Sequence, residues 1–92
     1  MDIEYVNERM QSSSYDDVLA FKAEISSDPT WLLLKSNEYN NSGDINDVTC
    51  CSSYYSENLS CSLAFVINYH KKTAFVREEQ NYKTKQKTLK LK

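Results

Sequence analysis

Residues 61–69, CSLAFVINY, alternate between two sets of side chains more regularly than any other stretch of this chain. Successive side chains of a β-strand point to opposite faces of a sheet, so residues two apart share a face. The pattern therefore predicts a strand. One of its faces carries Cys61, Leu63, Phe65, Ile67 and Tyr69, and the other carries Ser62, Ala64, Val66 and Asn68.

The remaining pattern predicts one short helix followed by further strands. Residues 15–26 read as a helix with Ser14 as its N-cap, and Pro29 stops it because the residue before a proline is pushed out of the α region. Further strands are predicted over 31–39, 48–55 and 73–82, with a fifth through 87–92. A chain of 92 residues forms at most one domain. We therefore predict a single mainly β domain over 1–92, with an antiparallel up-and-down arrangement behind a short helix.

The charge is divided unevenly along the chain. Residues 1–70 hold three basic and eleven acidic side chains, whereas residues 71–92 hold eight basic and two acidic ones. A basic segment can bind nucleic acid or anionic lipid. In TKQKTLKLK, however, lysine alternates with other residues, which is typical of the solvent face or edge of a strand. We favour that reading and expect neither a nucleic-acid nor a membrane partner.

The residues offer little for catalysis or metal binding. The chain has one histidine, His70, within a lysine-flanked turn, and one glycine, Gly43. No nucleophile–histidine pair, zinc-ligand spacing or glycine-rich phosphate loop can be built from them. We expect no enzyme activity, no metal and no cofactor.

Two features bear on the compartment of the protein. The first ten residues lack the apolar stretch of a signal peptide, and no run is apolar for long enough to span a membrane. Two N-glycosylation sequons begin at Asn40 and Asn58. Together with the cysteines, they favour a secreted protein whose leader is not included here.

The aromatic residues suggest a binding pocket. Aromatic faces attract cations, and a carboxylate in an apolar wall pairs strongly with an ammonium group. An alternative is that the aromatic candidates are ordinary core residues and that the carboxylates point to water. The candidate ligand-binding residues are Trp31, Tyr39, Phe65, Glu38 and Glu78.

The cysteine count is odd. Cys50 and Cys51 are adjacent, a position from which cysteines rarely pair with each other, and Cys61 is the third. At least one thiol therefore has no partner within the chain.

Three segments in sequence order resemble one known family. DDVLAF resembles its helix pattern through Asp17 and Phe21, and VTCCSS resembles its cysteine-opened strand at Cys50. LLLKSNEY resembles the family's first strand, and the residues that carry the match are Leu33, Lys35, Ser36, Glu38 and Tyr39. Over about residues 15–83 the chain is similar to the tick salivary lipocalins, the histamine-binding protein family.

The resemblance implies an eight-stranded antiparallel barrel closed by a helix, of which this chain is the N-terminal half. It also implies a salivary protein that sequesters histamine or a related amine of the host and so damps inflammation. In the family, the cysteine that matches Cys50 forms a disulfide with a cysteine near the C-terminus. The resemblance therefore implies that the partner of Cys50 lies beyond residue 92.

The chain departs from the family in three respects. The family's remaining acidic and aromatic ligands come from later strands, which this sequence does not contain. The segment after Tyr39 is NNSGD, so a tryptophan expected there is missing and Asp44 is displaced. Cys51 and Cys61 are additional, and they would form a local disulfide if their Cα atoms lay within about 7 Å.

Four or five strands do not close a barrel, so we expect an open edge, and a chain that either is marginally stable or dimerises through that edge. A rival prediction is a small α+β interaction protein that binds another macromolecule through an exposed sheet edge.

Overall fold

The structure is a computed structural model that describes residues 1–12, 14–41 and 43–79. Its elements are α1 (Ile3–Met10), α2 (Tyr15–Ser27), β1 (Trp31–Asn40), β2 (Val48–Ser56), β3 (Cys61–Asn68) and β4 (Thr73–Glu79). The strands form one antiparallel sheet in the order β1-β2-β3-β4. The predicted mainly β, up-and-down architecture with a short helix is therefore confirmed. The four strands of the described part form an open sheet, and the predicted fifth strand lies outside the described residues.

Helix α2 begins and ends where the sequence predicts. The Ser14 hydroxyl accepts a hydrogen bond from the backbone N–H of Asp17, which satisfies one of the free donors at the helix start. At the other end Asp28 adopts an extended backbone, as expected for a residue before Pro29. The side chains that α2 buries are Val18, Phe21 and Ile25.

One face of the sheet packs against α2, and we call it the helix face. On it lie Cys50, Ser52, Tyr54 and Ser56 of β2 and Cys61, Leu63, Phe65 and Ile67 of β3. The rings of Phe21 and Phe65 meet edge to face with centroids 5.6 Å apart. The predicted alternation of residues 61–69 thus holds, and its large apolar side chains form the centre of the core.

A β-bulge interrupts β1. Leu33 pairs with Tyr54 and Lys35 with Ser53, so one extra residue, Leu34, stands between two consecutive pairs. Because successive side chains of a strand point to opposite faces, the extra residue moves every later side chain of β1 to the other face of the sheet. Beyond the bulge, Glu38 lies on the helix face and Tyr39 on the opposite one.

The buried carboxylate of Asp47 joins the β1–β2 loop to the end of β3. Asp47 is 4% exposed. It accepts a hydrogen bond from Asn68 Nδ2 at 2.7 Å and forms an ion pair with Lys71 Nζ at 3.3 Å. A buried charge needs such partners, because desolvating it without them is costly.

Helix α1 was not predicted from the sequence. Its only buried residue is Val6. The Tyr5 hydroxyl and the Arg9 guanidinium both donate to the Glu24 carboxylate of α2, and the guanidinium lies 5.0 Å from the Phe21 ring centroid. These contacts, rather than an apolar stripe, dock α1 on α2.

We expect the docking of α1 to weaken in acid. The hydrogen bond from Tyr5, together with Arg9, lowers the pKa of Glu24 below its ordinary value of 4.5. A carboxyl group with a depressed folded pKa stabilises the protein above its unfolded pKa, and this contribution is lost as the pH falls through the folded pKa. Urea unfolding of the wild type and of Glu24→Gln should show a more stable wild type at pH 7 and a smaller difference at pH 3. A difference that did not change with pH would contradict this role for Glu24.

Candidate ligand-binding site

The carboxylate of Glu38 stands on the helix face near the end of β1. It lies directly across from Cys50 of β2, whose thiol donates to Glu38 Oε2 over 3.9 Å. Glu38 is exposed, and its second carboxylate oxygen has no hydrogen-bond donor among the described residues. The site therefore offers an anionic acceptor to a ligand.

The thiol of Cys50 acts in this site as a neutral hydrogen-bond donor. Burial, followed by the negative charge of Glu38, raises its pKa, while the positive charge of Lys22 on α2 opposes that rise. Since the ordinary pKa is 9.0, the group stays protonated at neutral pH. It is therefore not a thiolate nucleophile.

A buried hydroxyl without a partner lies beside this pair. Ser52 follows Cys50 by two residues on β2, so both point to the helix face, and it lies across from Ser36 of β1. Ser52 is 7% exposed, and its Oγ makes no hydrogen bond within the described part of the chain. Leaving a buried polar group unpaired costs about 1–3 kcal/mol, so a polar ligand would gain a contact with Ser52 Oγ if the packing that covers this atom opened.

Two of the predicted aromatic ligands belong to the core of the protein. Trp31 is 5% exposed, and Phe65 is fully buried. The Phe65 ring packs edge to face against Tyr54 with centroids 5.9 Å apart, in addition to its contact with Phe21. These rings form the apolar base of the helix face on which Glu38 stands.

The structure separates the other two predicted ligands from Glu38. Tyr39 is exposed and points to the opposite face, because of the bulge in β1. Glu78 lies on the helix face, but it is on β4, and three strand spacings of about 4.8 Å separate β4 from β1. Four of the five predicted residues thus share one face, while the two carboxylates occupy different places on it.

Glu78 forms a second pair of carboxylate and thiol. It accepts from Cys61 Sγ over 3.7 Å, and Cys61 is 3% exposed. Burial, followed by the charge of Glu78, raises the pKa of Cys61 to about 11. This thiol is therefore unreactive at neutral pH.

The predicted local disulfide between Cys51 and Cys61 is wrong for this structure. All three cysteines are free thiols. Cys61 pairs with Ser56, which is five residues along β2 from Cys51, or about 17 Å. Moreover, Cys51 points away from the helix face. This register brings no two of the three sulfurs to bonding distance.

Three residues near the Glu38–Cys50 pair were not predicted: Ser36 and Ser52 on the same face of the sheet, and Lys22, whose charge acts on Cys50. Ser52 could have been noticed, because it falls between Cys50 and Tyr54 in the alternation of β2. Ser36 could not, because its facing depends on the bulge, and no glycine or proline in β1 marks that position.

No group of three or more histidine, cysteine or acidic side chains suited to a metal ion occurs within residues 1–12, 14–41 and 43–79. In the same residues, neither helix has the length and apolar character needed to cross a bilayer. Comparison of the chain with protein-family models, curated proteins and solved structures finds no match.

Proposed function

We propose that this protein is a secreted, non-enzymatic binding protein of the tick salivary lipocalin type, which captures histamine or a related small amine of the host. The observation that carries the proposal is the free carboxylate oxygen of Glu38 beside the unpaired buried hydroxyl of Ser52. The proposed mechanism is equilibrium capture, in which no covalent bond forms or breaks.

Histamine matches this arrangement in charge and in hydrogen-bonding groups. Its ammonium group donates to Glu38, and an imidazole nitrogen pairs with the Ser52 hydroxyl. An exposed ion pair alone contributes only about 0–1 kcal/mol, so the carboxylate needs the second contact to give useful affinity. A hydrogen bond to the Ser52 hydroxyl, made as the packing over it opens, provides the second contact, because the unbound protein leaves that group unsatisfied.

Further strands that would close a barrel over the helix face belong to the same proposal. In a closed barrel, Glu38 and Ser52 would be shielded from water, and the electrostatic attraction between Glu38 and an ammonium group would be stronger. In the chain as given, a second copy of the protein paired along β1 would shield Glu38 and Ser52 from water.

The proposal predicts that Glu38→Gln weakens histamine binding about 10- to 100-fold, the factor for a hydrogen bond to a charged group. Isothermal titration calorimetry at low ionic strength measures the effect. Glu8→Gln is the matched control, since it makes the same change of charge on an exposed residue of α1. Equal affinities in the wild type and Glu38→Gln would exclude Glu38 as the amine ligand.

A second candidate function is supported by the exposure of β1. Nine of its ten residues are exposed, and Leu32 and Leu33 are 55% and 58% exposed. Within the described residues, β1 is an edge strand, and such an edge can accept a strand from another macromolecule. The titration separates the two functions, because an edge-binding protein gives no saturable heat with histamine.

A further inference from the structure

We propose that Asn58, and not Asn40, carries an N-linked glycan in this protein. The two sequons lie at opposite ends of the sheet, Asn40 where β1 ends and Asn58 in the turn between β2 and β3. Their surroundings differ in the availability of the acceptor nitrogen and in the distance from Glu38.

The turn that follows β2 presents Asn58 to solvent. Its backbone is fixed by two hydrogen bonds, from Leu59 N to Ser56 Oγ at 3.3 Å and from Ser60 N to Glu57 O at 3.2 Å. Leu59 packs against the core, while Asn58 and Ser60 on either side of it are exposed. The first and third residues of the sequon, which define the acceptor, therefore both face outward.

The side-chain amide of Asn58 is available for modification. It has no hydrogen-bond partner among the described residues. In the transfer, the amide nitrogen forms a bond to the anomeric carbon of an oligosaccharide carried on a polyprenyl diphosphate. The nitrogen loses one proton, and the lipid diphosphate leaves as the bond to the sugar breaks. The Asn58 amide itself gives up no hydrogen bond to another described residue.

Asn40 differs because its side chain holds the β1–β2 loop together. Its Nδ2 donates to the carbonyl oxygen of Asp44 at 2.9 Å, and its Oδ1 accepts from the Gly43 N–H at 2.8 Å. A sugar on Nδ2 would replace one of the two amide hydrogens and crowd the loop that the remaining contacts hold. The folded hairpin therefore competes with modification at this position.

The two positions also differ in their relation to the candidate site. Asn40 follows Glu38 by two residues on β1, so a glycan there would extend from the helix face beside the carboxylate. Ser56 is six residues, or about 20 Å, along β2 from Cys50, and Asn58 lies beyond Ser56. A glycan at Asn58 leaves the Glu38 end of the sheet accessible. The glycan itself rests on the secretion that the proposed function includes, and this last step rests in addition on the proposed amine site.

Translation of the full chain behind a cleavable signal peptide into microsomes tests the proposal. Only the protease-protected, signal-cleaved fraction is analysed, with and without an endoglycosidase that removes N-linked glycans. We expect one glycan on the wild type, its loss in Asn58→Gln and Ser60→Ala, and its retention in Asn40→Gln. An unmodified protected chain, a second glycan, or a glycan that persists in Asn58→Gln would overturn the proposal.

The outcome is independent of amine binding. Histamine titration of Asn58→Gln should give the affinity of the wild type, since the acceptor lies far from Glu38. A chain without a glycan that still binds histamine would refute only the modification, and a glycosylated chain that does not bind would refute only the amine site.

Discussion

Replacement of Phe65 by alanine is expected to lower the free energy of unfolding by about 3–5 kcal/mol, the range for a large aromatic residue in a core. Phe65 is fully buried, and both Phe21 and Tyr54 pack edge to face against its ring. The substitution removes both aromatic contacts and leaves a cavity between α2 and the sheet. Domains of this size are stable by only about 5–15 kcal/mol, so the variant should lose a large share of its stability and unfold at a clearly lower temperature than the wild type.

Phe75→Ala is the matched control for this prediction. Phe75 lies on the neighbouring strand β4, but it is 51% exposed and points to the opposite face. The same deletion there should change the free energy of unfolding by less than about 1 kcal/mol. Guanidinium unfolding followed by circular dichroism measures both variants. Equal losses of stability would show that Phe65 is not at the centre of the core.

Asp47→Ala should be the most destabilising change outside the apolar core, with a loss of about 1–3 kcal/mol in the free energy of unfolding, the range for a buried polar group left without its partner. The carboxylate is buried and accepts from Asn68 Nδ2, so its removal leaves a buried amide without its acceptor. It also disconnects the β1–β2 loop from the end of β3.

Lys71→Ala separates the hydrogen bond of Asp47 from its ion pair. The Lys71 side chain is 58% exposed, and an ion pair with an exposed partner contributes at most about 1 kcal/mol. Urea unfolding should therefore show a small loss for Lys71→Ala and a large one for Asp47→Ala. If the two losses were similar, the ion pair would account for the stabilisation, and the hydrogen bond to Asn68 would not.

The strands and α2 could be predicted because their signals are local. The alternation of residues 61–69 reports directly which side chains share a face, and β3 has the predicted facing over Cys61–Asn68. Ser14 and Pro29 mark the limits of α2 through the chemistry of the backbone at those two positions. Such signals depend on neighbours within a few residues, and a single sequence contains them.

Helix α1 and the facing of Glu38 could not be predicted, because both depend on contacts across the fold. An isolated helix of eight residues is marginal in water, and α1 is held by the contacts of Tyr5 and Arg9 with α2. The facing of Glu38 follows from the bulge near Leu34, which appears only once β1 is paired with β2. The predicted set of ligands therefore placed Tyr39 beside Glu38, whereas the structure puts the two side chains on opposite faces of the sheet.

The central claim is that an amine binds at Glu38 on the helix face, and an NMR titration of the isotope-labelled protein with histamine tests it most directly. The account predicts saturable chemical-shift changes at the Glu38 carboxyl carbon and at the backbone amides of Cys50 and Ser52. The amide of Phe75, on the opposite face, should not shift. A titration that left the Glu38 carboxyl carbon unchanged, or moved only residues of the opposite face, would contradict the account.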